Sequence, residues 1–351
     1  MSLLDKLPRK PSPDFKRLRK ALTRDGEPDR VPFYELFVDL EVREACLGRK
    51  TESLQDVIEF YWRAGYDYVP ASPNMAKANF YVQGFVTEDT AKLSREGGRS
   101  WWNEQRGPIG TWEELEALPW PEITDETFAP IEQMSKLLPE GMKLVAQWGG
   151  IFEAASFLMG LTNLSFCLVD QPDLVAALFE RLGNLFVALY TGFCQFDSVS
   201  AATISDDLGF RSATLISPDH LRQYVLPWHK KLAKIVHDSG RPVILHCCGN
   251  VAAVMDDLID DVGIDAKHSY EDAIQPVIEA KKQYGDRIGI LGGVDMDKLC
   301  RLEEPELRRY IESILENCAP GGGYAFGSGN SIANYIPLEN YLLMLKMGME
   351  Y

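Results

Sequence analysis

Residues 243–250 read VILHCCGN, a short apolar run that ends in a histidine and two cysteines before a Gly-Asn pair. A run of this length followed by a turn signal is typical of a buried strand. Further runs of the same kind recur along the chain, with helix-length amphipathic segments between most of them. The predicted strands are VPFYEL (31–36), DYVPAS (67–72), KLVAQWG (143–149), ATISDD (202–207), VILHCC (243–248), IDAKHS (264–269), RIGILGG (287–293) and GYAFGSG (323–329).

Two helix-length segments between the strands are especially clear. Leucines recur at helical spacing through 172–196, and residues 217–240 have Ser217 as a predicted N-cap and Gly240 as a predicted stop. Strands alternating with helices predict parallel pairing with right-handed crossovers, and eight such units are typical of an α/β chain folded as a (β/α)8 TIM barrel. The rival, a doubly wound open sheet, usually carries a glycine-rich phosphate turn, and the sequence contains neither GxGxxG nor a Walker motif.

Two parts of the chain exceed a minimal barrel. Residues 1–30 form a charged N-terminal extension, and residues 73–142 form a long insertion after the second predicted strand. The insertion contains GGRSWWNEQRGPIGTWEELEALPWPEI, and its place after a strand predicts that it lies over the barrel mouth. It could act there as a lid or substrate wall, or it could be a packed excursion. We expect residues 1–351 to form a single domain.

Composition excludes several classes of partner. The chain of 351 residues has 52 acidic and 36 basic residues and a net charge of −16, so we expect no nucleic-acid partner and no anionic membrane surface. No run of about 18 apolar residues occurs and the N-terminus has no apolar signal region, so we expect no membrane span and no signal peptide. Seven cysteines without a disulfide framework predict a cytoplasmic protein with free or metal-bound thiols.

The end of the VILHCC strand is the first candidate site. Side chains alternate along a strand, so His246 and Cys248 share one face while Cys247 points the other way. Chemistry in TIM barrels occurs at the C-terminal strand ends, and an imidazole and a thiolate there could bind one zinc ion. The alternative is a buried histidine beside two small apolar thiols.

Other predicted strand ends supply further polar side chains. Asp206 and Asp207 are adjacent, so one of them faces the mouth and the other could cap a helix or hold a loop. His268 ends the neighbouring strand, and His229 is expected on a helix face. The predicted catalytic residues are Asp206, Asp207 and Asn330, and the predicted substrate-binding residues are Glu35, Trp148, Asp295 and Ser328.

From about residue 25 onward the chain resembles the uroporphyrinogen decarboxylase superfamily. The resemblance is carried by DRVPFYEL, ISDDLGF, LISPDHLRQYVLPWHKKL, VILHCCGN, GIDAKH, RIGILGGVD and PGGGYAFGSGNSIANYIPLENY. It implies a (β/α)8 barrel and, as a family expectation, a homodimer. True uroporphyrinogen decarboxylases have an arginine-rich segment after the first motif, an aspartate in the second strand, a tyrosine and a late histidine. Here those places hold FYELFVDLEVREACLG, ASPN (71–74), Phe157 and Ser328.

The chain is more similar to the zinc- and cobamide-dependent methyltransferases of this superfamily. The resemblance implies zinc bound by His246 and Cys248, with the family's further cysteine replaced by Ser328. His268 is then the expected third ligand, with Asp206 or Asp207 ligating or orienting, and Asn330 and Ser328 contacting substrate.

A cobalamin-binding H-x-x-D-x-x-G signature is absent from the sequence, so the resemblance implies a corrinoid carried by a separate partner protein. The expected function is methyl transfer between a small molecule and that corrinoid protein. The alternatives are a cofactor-independent decarboxylase or lyase acting on a tetrapyrrole or another small acid, and a barrel that binds a corrinoid or small molecule without turnover.

Overall fold

The protein folds around a curled parallel sheet, as seen in a computed structural model that describes residues 2–75 and 84–351. Seven strands follow the order β1-β4-β5-β6-β7-β8-β9, and each neighbouring pair is parallel. Two more strands, β2 and β3, form a separate antiparallel hairpin. The strands are β1 Tyr68–Ala71, β2 Gly84–Thr87, β3 Arg99–Trp102, β4 Lys143–Gln147, β5 Val199–Ser205, β6 Val243–His246, β7 Ala266–His268, β8 Gly289–Leu291 and β9 Tyr324–Ala325.

The segment predicted as the first strand supplies the eighth position of the barrel without forming a regular strand. Phe33 makes a parallel bridge to Phe326, beside β9. On its other side, the hydroxyl of Tyr68 accepts a hydrogen bond from Glu35 N (2.9 Å) and also donates to Glu35 O. The Tyr68 side chain therefore forms hydrogen bonds with the Glu35 amide and carbonyl, which a strand ladder with β1 would otherwise use. This substitution explains why 31–36 has strand-like composition but only one bridge.

Helices cover the outside of the sheet, as expected for crossovers in a TIM barrel. The predicted helix over 217–240 consists of α9, a π-helical turn over Leu221–Val225 and α10, and the Ser217 hydroxyl caps its first turn. The α-helices are α1 Lys16–Thr23, α2 Leu40–Leu47, α3 Leu54–Arg63, α4 Trp112–Ala117, α5 Asp125–Leu137, α6 Ile151–Met159, α7 Leu161–Asp170, α8 Pro172–Phe193, α9 Pro218–His220, α10 Leu226–Asp238, α11 Val277–Tyr284, α12 Met296–Arg301, α13 Glu304–Cys318 and α14 Leu338–Glu350.

One helix, α8, is long and apolar enough to cross a membrane by length and composition, and α6 with α7 would pass the same test only as a pair bent by 93°. More than half of the apolar window of α8 is buried inside the protein, where its leucines pack in the core. This pattern is also that of a core helix in a barrel.

The N-terminal extension lies against the barrel. Helix α1 packs on β8 and β9. Arg17 of this helix donates to the buried carboxylate of Asp67 (3.0 Å), which directly precedes β1, and Arg30 also reaches that carboxylate. Buried carboxylates need paired partners, so this cluster fixes the extension at the N-terminal ends of the strands, opposite the mouth.

The insertion after the second predicted strand contains the hairpin β2–β3 and helices α4 and α5, while its residues 76–83 lie outside the described part of the chain. The buried Asp89 fastens the hairpin, because it accepts from Arg99 Nε (3.0 Å) and from Asn334 Nδ2 (2.6 Å). Asn334 follows β9, so the hairpin is attached to a loop at the C-terminal face of the barrel.

Candidate functional site

A cavity of about 320 Å³ opens at the C-terminal ends of the strands. Its walls come from four strand ends and from the loops that follow them. The lining residues are Leu36, Phe37, Ser72, Gln147, Trp148, Gly149, Glu153, Ser205, Asp207, His246 and Asn330. Predicted site residues Asp207, His246, Trp148 and Asn330 therefore share one space, while Glu35, Asp295 and Ser328 are absent from this described lining.

Two donor atoms lie at the end of β6, one on His246, which lines this space, and one on Cys248 beside it. Cys248 Sγ lies 3.6 Å from His246 Nε2 and accepts a hydrogen bond from Asn330 Nδ2 at 3.1 Å. Cys247 points away, is fully buried, and accepts a bond from Leu208 N through its sulfur. Strand alternation thus separates the two thiols into one that contacts the lining residues His246 and Asn330 and one that packs in the core.

The two adjacent aspartates also separate. Asp207 Oδ1 accepts from Cys248 N (2.8 Å) and lies 3.8 Å from His246 Nε2. Ligand atoms of Asp207, His246 and Cys248 all lie within 4.8 Å of one another, the one such group of three found in residues 2–75 and 84–351. Nitrogen, sulfur and carboxylate donors at these separations fit zinc, whose bonds to them are about 2.0–2.3 Å long.

Asp206 points into the protein and has a structural position. Its carboxylate accepts from Phe152 N (3.0 Å) and Glu153 N (2.9 Å) in the first turn of α6, and from His229 Nε2 (2.7 Å). Carboxylates stabilise helix N-termini in this way. A Cβ at Gly150 would lie 2.2 Å from Asp206 Oδ1, so the approach needs glycine. In this position Asp206 anchors the first turn of α6, and the catalytic role predicted for it stays a prediction. His229 is fully buried, in contrast to its predicted helix-face position.

His268 contacts His246 at the ring nitrogen that does not face Cys248. The two Nδ1 atoms are 2.8 Å apart, and His268 Nε2 faces Ser328 O at 3.2 Å. A carbonyl can only accept, so His268 carries its proton on Nε2 and accepts on Nδ1. His246 must then donate from Nδ1, which leaves its Nε2 unprotonated and directed at Cys248 and Asp207.

Burial keeps both imidazoles neutral. Desolvation, with Lys267 nearby, lowers the pKa of His246 to about 3, and burial together with His246 moves the pKa of His268 well below its usual range. Because both nitrogens of His268 already have partners, the geometry favours Asp207 over His268 as the third ligand. Orientation of a ligating histidine by a hydrogen bond to its other nitrogen is a common feature of metal sites.

The remaining predicted residues lie at other places. Glu35 is fully buried and accepts from both the amide and the hydroxyl of Ser328, so these two residues bind each other below the cavity. Asp295 caps α12 by accepting from Asp297 N and Lys298 N. These three residues thus hold a turn and cap a helix outside the described lining, whereas Trp148 lies in the cavity wall. The substrate-binding roles predicted for them stay predictions.

Three functional features were missed in the sequence. Glu153 lies in the first turn of α6, and burial with Asp207 and Asp206 nearby raises its pKa to about 8. Lys267 is buried and donates to the carbonyls of Cys247 and Ser269. Ser269 has φ +90°, and its hydroxyl donates to Gly329 O. A carboxylate three residues after a Gly-Gly pair at a predicted strand end was the available signal for Glu153; the other two depend on tertiary contacts.

A family profile described as uroporphyrinogen decarboxylase (URO-D) matches residues 105–351, which is more than half of the chain. The chain belongs to the uroporphyrinogen decarboxylase family. This family member is 25% identical over 231 residues to a methylated-thiol–coenzyme M methyltransferase of Methanosarcina mazei, covering 64% of this chain and 59% of the relative. It is 30% identical over 149 residues to the methylcobamide:CoM methyltransferase MtaA of Methanosarcina barkeri, covering 40% of this chain and 39% of the relative.

A solved structure confirms the TIM-barrel fold of this family member. A methyltransferase from Methanosarcina mazei superposes with a TM-score of 0.70 at 17% identity, covering 97% of this chain and 99% of that one. At this identity the likeness concerns the fold alone. The sequence matches to the first two relatives span 59% and 39% of their lengths.

Proposed function

We propose that this protein is a methyltransferase that moves a methyl group between a small molecule and a separate corrinoid protein. The observation that carries the proposal is the group formed by Asp207, His246 and Cys248 at the barrel mouth, which we propose holds zinc. The names of the two Methanosarcina relatives support methyl transfer, and one of those names refers to a cobamide.

The side chains around the group suit a bound cation. His246 offers an unprotonated Nε2, and Asp207 offers a carboxylate oxygen on the same side. Burial and the Asp207 charge raise the pKa of Cys248, so its thiol keeps its proton unless a positive charge comes close. When bound, zinc would supply the Lewis acid that lowers the pKa of a coordinated thiol or polarises the heteroatom of a methyl donor.

The chain's own residues would then prepare the transfer. Asn330 donates to Cys248 Sγ and stabilises negative charge on it. Phe37 and Trp148 give one side of the cavity an apolar surface. A volume of about 320 Å³ fits a small molecule, and the opening at the barrel mouth is where a partner's corrinoid would approach.

The alternative is a metal-independent decarboxylase or lyase. One observation favours it: Glu153, with a pKa raised to about 8, and Asp207 are two carboxyl groups in one cavity, a pairing used in acid–base catalysis. Against it, the described lining offers no lysine or arginine to hold a carboxylate substrate, least of all a tetrapyrrole with many carboxylates.

Three broader expectations remain proposals. We propose that residues 1–351 act as a single domain, that the protein works in the cytoplasm, and that it forms a homodimer. All seven cysteines are free, which suits a reducing compartment. Sedimentation of the purified protein would test the dimer.

Metal content tests the zinc proposal directly. Protein purified without an affinity tag would be analysed for bound metals by mass spectrometry, as wild type and as Cys248→Ser and Asp207→Asn. We expect near-stoichiometric zinc in the wild type and loss of at least ten-fold in affinity in each variant. Cys300→Ser, which changes a partly exposed cysteine on α12, is the matched control. Zinc absent from wild type even after addition, or retained in both variants, would contradict the proposal and leave the lyase as the better candidate.

A further inference from the structure

The charged groups that line the cavity indicate which class of small molecule it favours. Among the described residues that line it, Glu153 and Asp207 are carboxylates and none is lysine or arginine. If Asp207 and Cys248 hold a divalent cation, their two negative charges balance it. Glu153 is then the acidic group of the described lining that has no counter-charge.

Glu153 has no ion-pair partner in the part of the chain that the structure describes. Burial is the largest cause of its raised pKa, followed by the charges of Asp207 and Asp206. The ionised carboxylate is therefore costly as long as the cavity is empty. A ligand that brings a positive charge would remove that cost, whereas an anionic ligand would increase it.

Two aromatic side chains in the cavity wall also suit a cation. Trp148 and Phe37 both line the space, and the Trp148 ring is fixed against Phe186 at a centroid distance of 5.0 Å. Aromatic faces attract ammonium groups, and tryptophan does so most strongly, with about 0.5–2 kcal/mol per contact. Carboxylate and aromatic groups together form the kind of site that binds methylated ammonium ions.

We propose that the small molecule bound in this cavity is a methylated ammonium compound, with Glu153 as its counter-charge and Trp148 as its aromatic contact. Its role as methyl donor rests on the methyl transfer of the proposed function and not on its zinc, because an ammonium nitrogen has no lone pair with which to bind a metal. In that step the carbon–nitrogen bond breaks with its electron pair remaining on nitrogen, so a neutral amine leaves without needing a proton. The methyl group would pass to the reduced corrinoid of the partner protein, which would supply the electron pair for the new bond.

This inference separates the chain from the relatives whose names include coenzyme M. Coenzyme M carries a sulfonate, which is negative at every physiological pH. In this cavity a sulfonate would face Glu153 and Asp207 without a described basic residue to balance it. The cavity therefore favours a cation over that thiol.

Calorimetric binding to the full-length, zinc-treated protein tests the inference without requiring turnover. The probes are choline, the dimethylbutanol in which carbon replaces the nitrogen of choline, and methyl-coenzyme M. The first two have the same shape and differ in charge. We expect choline to bind at least ten-fold more tightly than its neutral isostere and methyl-coenzyme M not to bind measurably.

Variants identify the residue responsible. Glu153→Gln should remove most of the preference for choline while keeping zinc content unchanged, and Glu140→Gln, an exposed glutamate before β4, should keep both. Equal binding of choline and its isostere, or tighter binding of methyl-coenzyme M, would overturn the inference. Loss of zinc from Glu153→Gln would overturn it as well, because Glu153 would then be a metal ligand. A preference for choline in protein that binds no zinc would support this inference while contradicting the zinc proposal.

Discussion

Replacing His268 by leucine should weaken zinc binding even though, in our interpretation, His268 does not touch the metal. The substitution removes the acceptor of the His246 Nδ1 proton, at present 2.8 Å away, in a position with 0% exposure. His246 would then be free to carry its proton on Nε2, the atom that must be unprotonated to bind a cation. The perturbation therefore acts on the tautomer and orientation of His246.

The size of the effect follows from the contacts that are lost. A buried donor left without a partner costs about 1–3 kcal/mol. Where this cost weakens zinc binding, the dissociation constant for zinc rises by about 10- to 100-fold. A change of this size is typical for residues that orient a ligating histidine. His268→Gln should recover part of the loss, because an amide can both accept from His246 and donate to Ser328 O.

Zinc affinity would be measured by competition with a chromophoric chelator, and the geometry of the site by the visible spectrum of the cobalt(II)-substituted protein. His237→Gln is the matched control, since His237 pairs with Asp265 at the surface of α10. The reasoning would be refuted if His268→Leu lowered the stability of the fold but left zinc affinity and the cobalt spectrum unchanged. In that case His268 would be a packing residue only.

Three further predictions concern the surroundings of the site. Burial raises the pKa of Glu35 from 4.5 to about 8. The folded state then holds a proton that the unfolded state loses, so stability is fully present below pH 4.5 and falls by up to about 5 kcal/mol as pH rises to about 8. Denaturant unfolding across this range should show a flatter pH profile in Glu35→Gln. Asp206→Ala should cost about 3 kcal/mol in the same assay, because two helix amides and His229 lose their acceptor, while the exposed Asp219→Ala should cost little. Asp89→Ala should release the β2–β3 hairpin, seen as faster proteolytic cleavage between residues 84 and 102 with the unfolding midpoint nearly unchanged.

Much of the fold was accessible from the sequence because it depends on local patterns. Seven of the predicted strands form the parallel sheet, since apolar runs separated by amphipathic helices have few other ways to bury their faces. The exception, 31–36, was recognisable as extended chain. Its conversion to a single bridge depends on the Tyr68 hydroxyl, which comes from a residue more than thirty positions away.

The candidate site also has features that the sequence predicts and features that depend on distant contacts. Alternation along β6 was sufficient to separate Cys248 from Cys247, and adjacency was sufficient to show that Asp206 and Asp207 could not both face the mouth. Which aspartate does so was beyond the sequence, because it depends on α6 presenting two free amides and on His229 approaching from α10. The turn-forming role of Ser328 follows from a contact of the same long-range kind, with Glu35, whereas Asp295 caps α12 through the neighbouring amides of Asp297 and Lys298.

The zinc-dependent methyltransferases that this chain resembles have a cysteine at the position of Ser328. Without that cysteine, a cation at this site would need a different ligand. Ser328 turns its hydroxyl to Glu35, so the end of β9 offers Asn330 to Cys248 as a donor and supplies no ligand in the described group. In place of a thiolate after β9, the described group contains the carboxylate of Asp207, which follows β5. The ligand group thereby keeps the same negative charge, but a hard carboxylate oxygen replaces a soft sulfur. In our proposal such a mixed set, backed by the paired imidazoles, would bind zinc, while Glu153 and the aromatic walls would determine which small molecule enters the cavity.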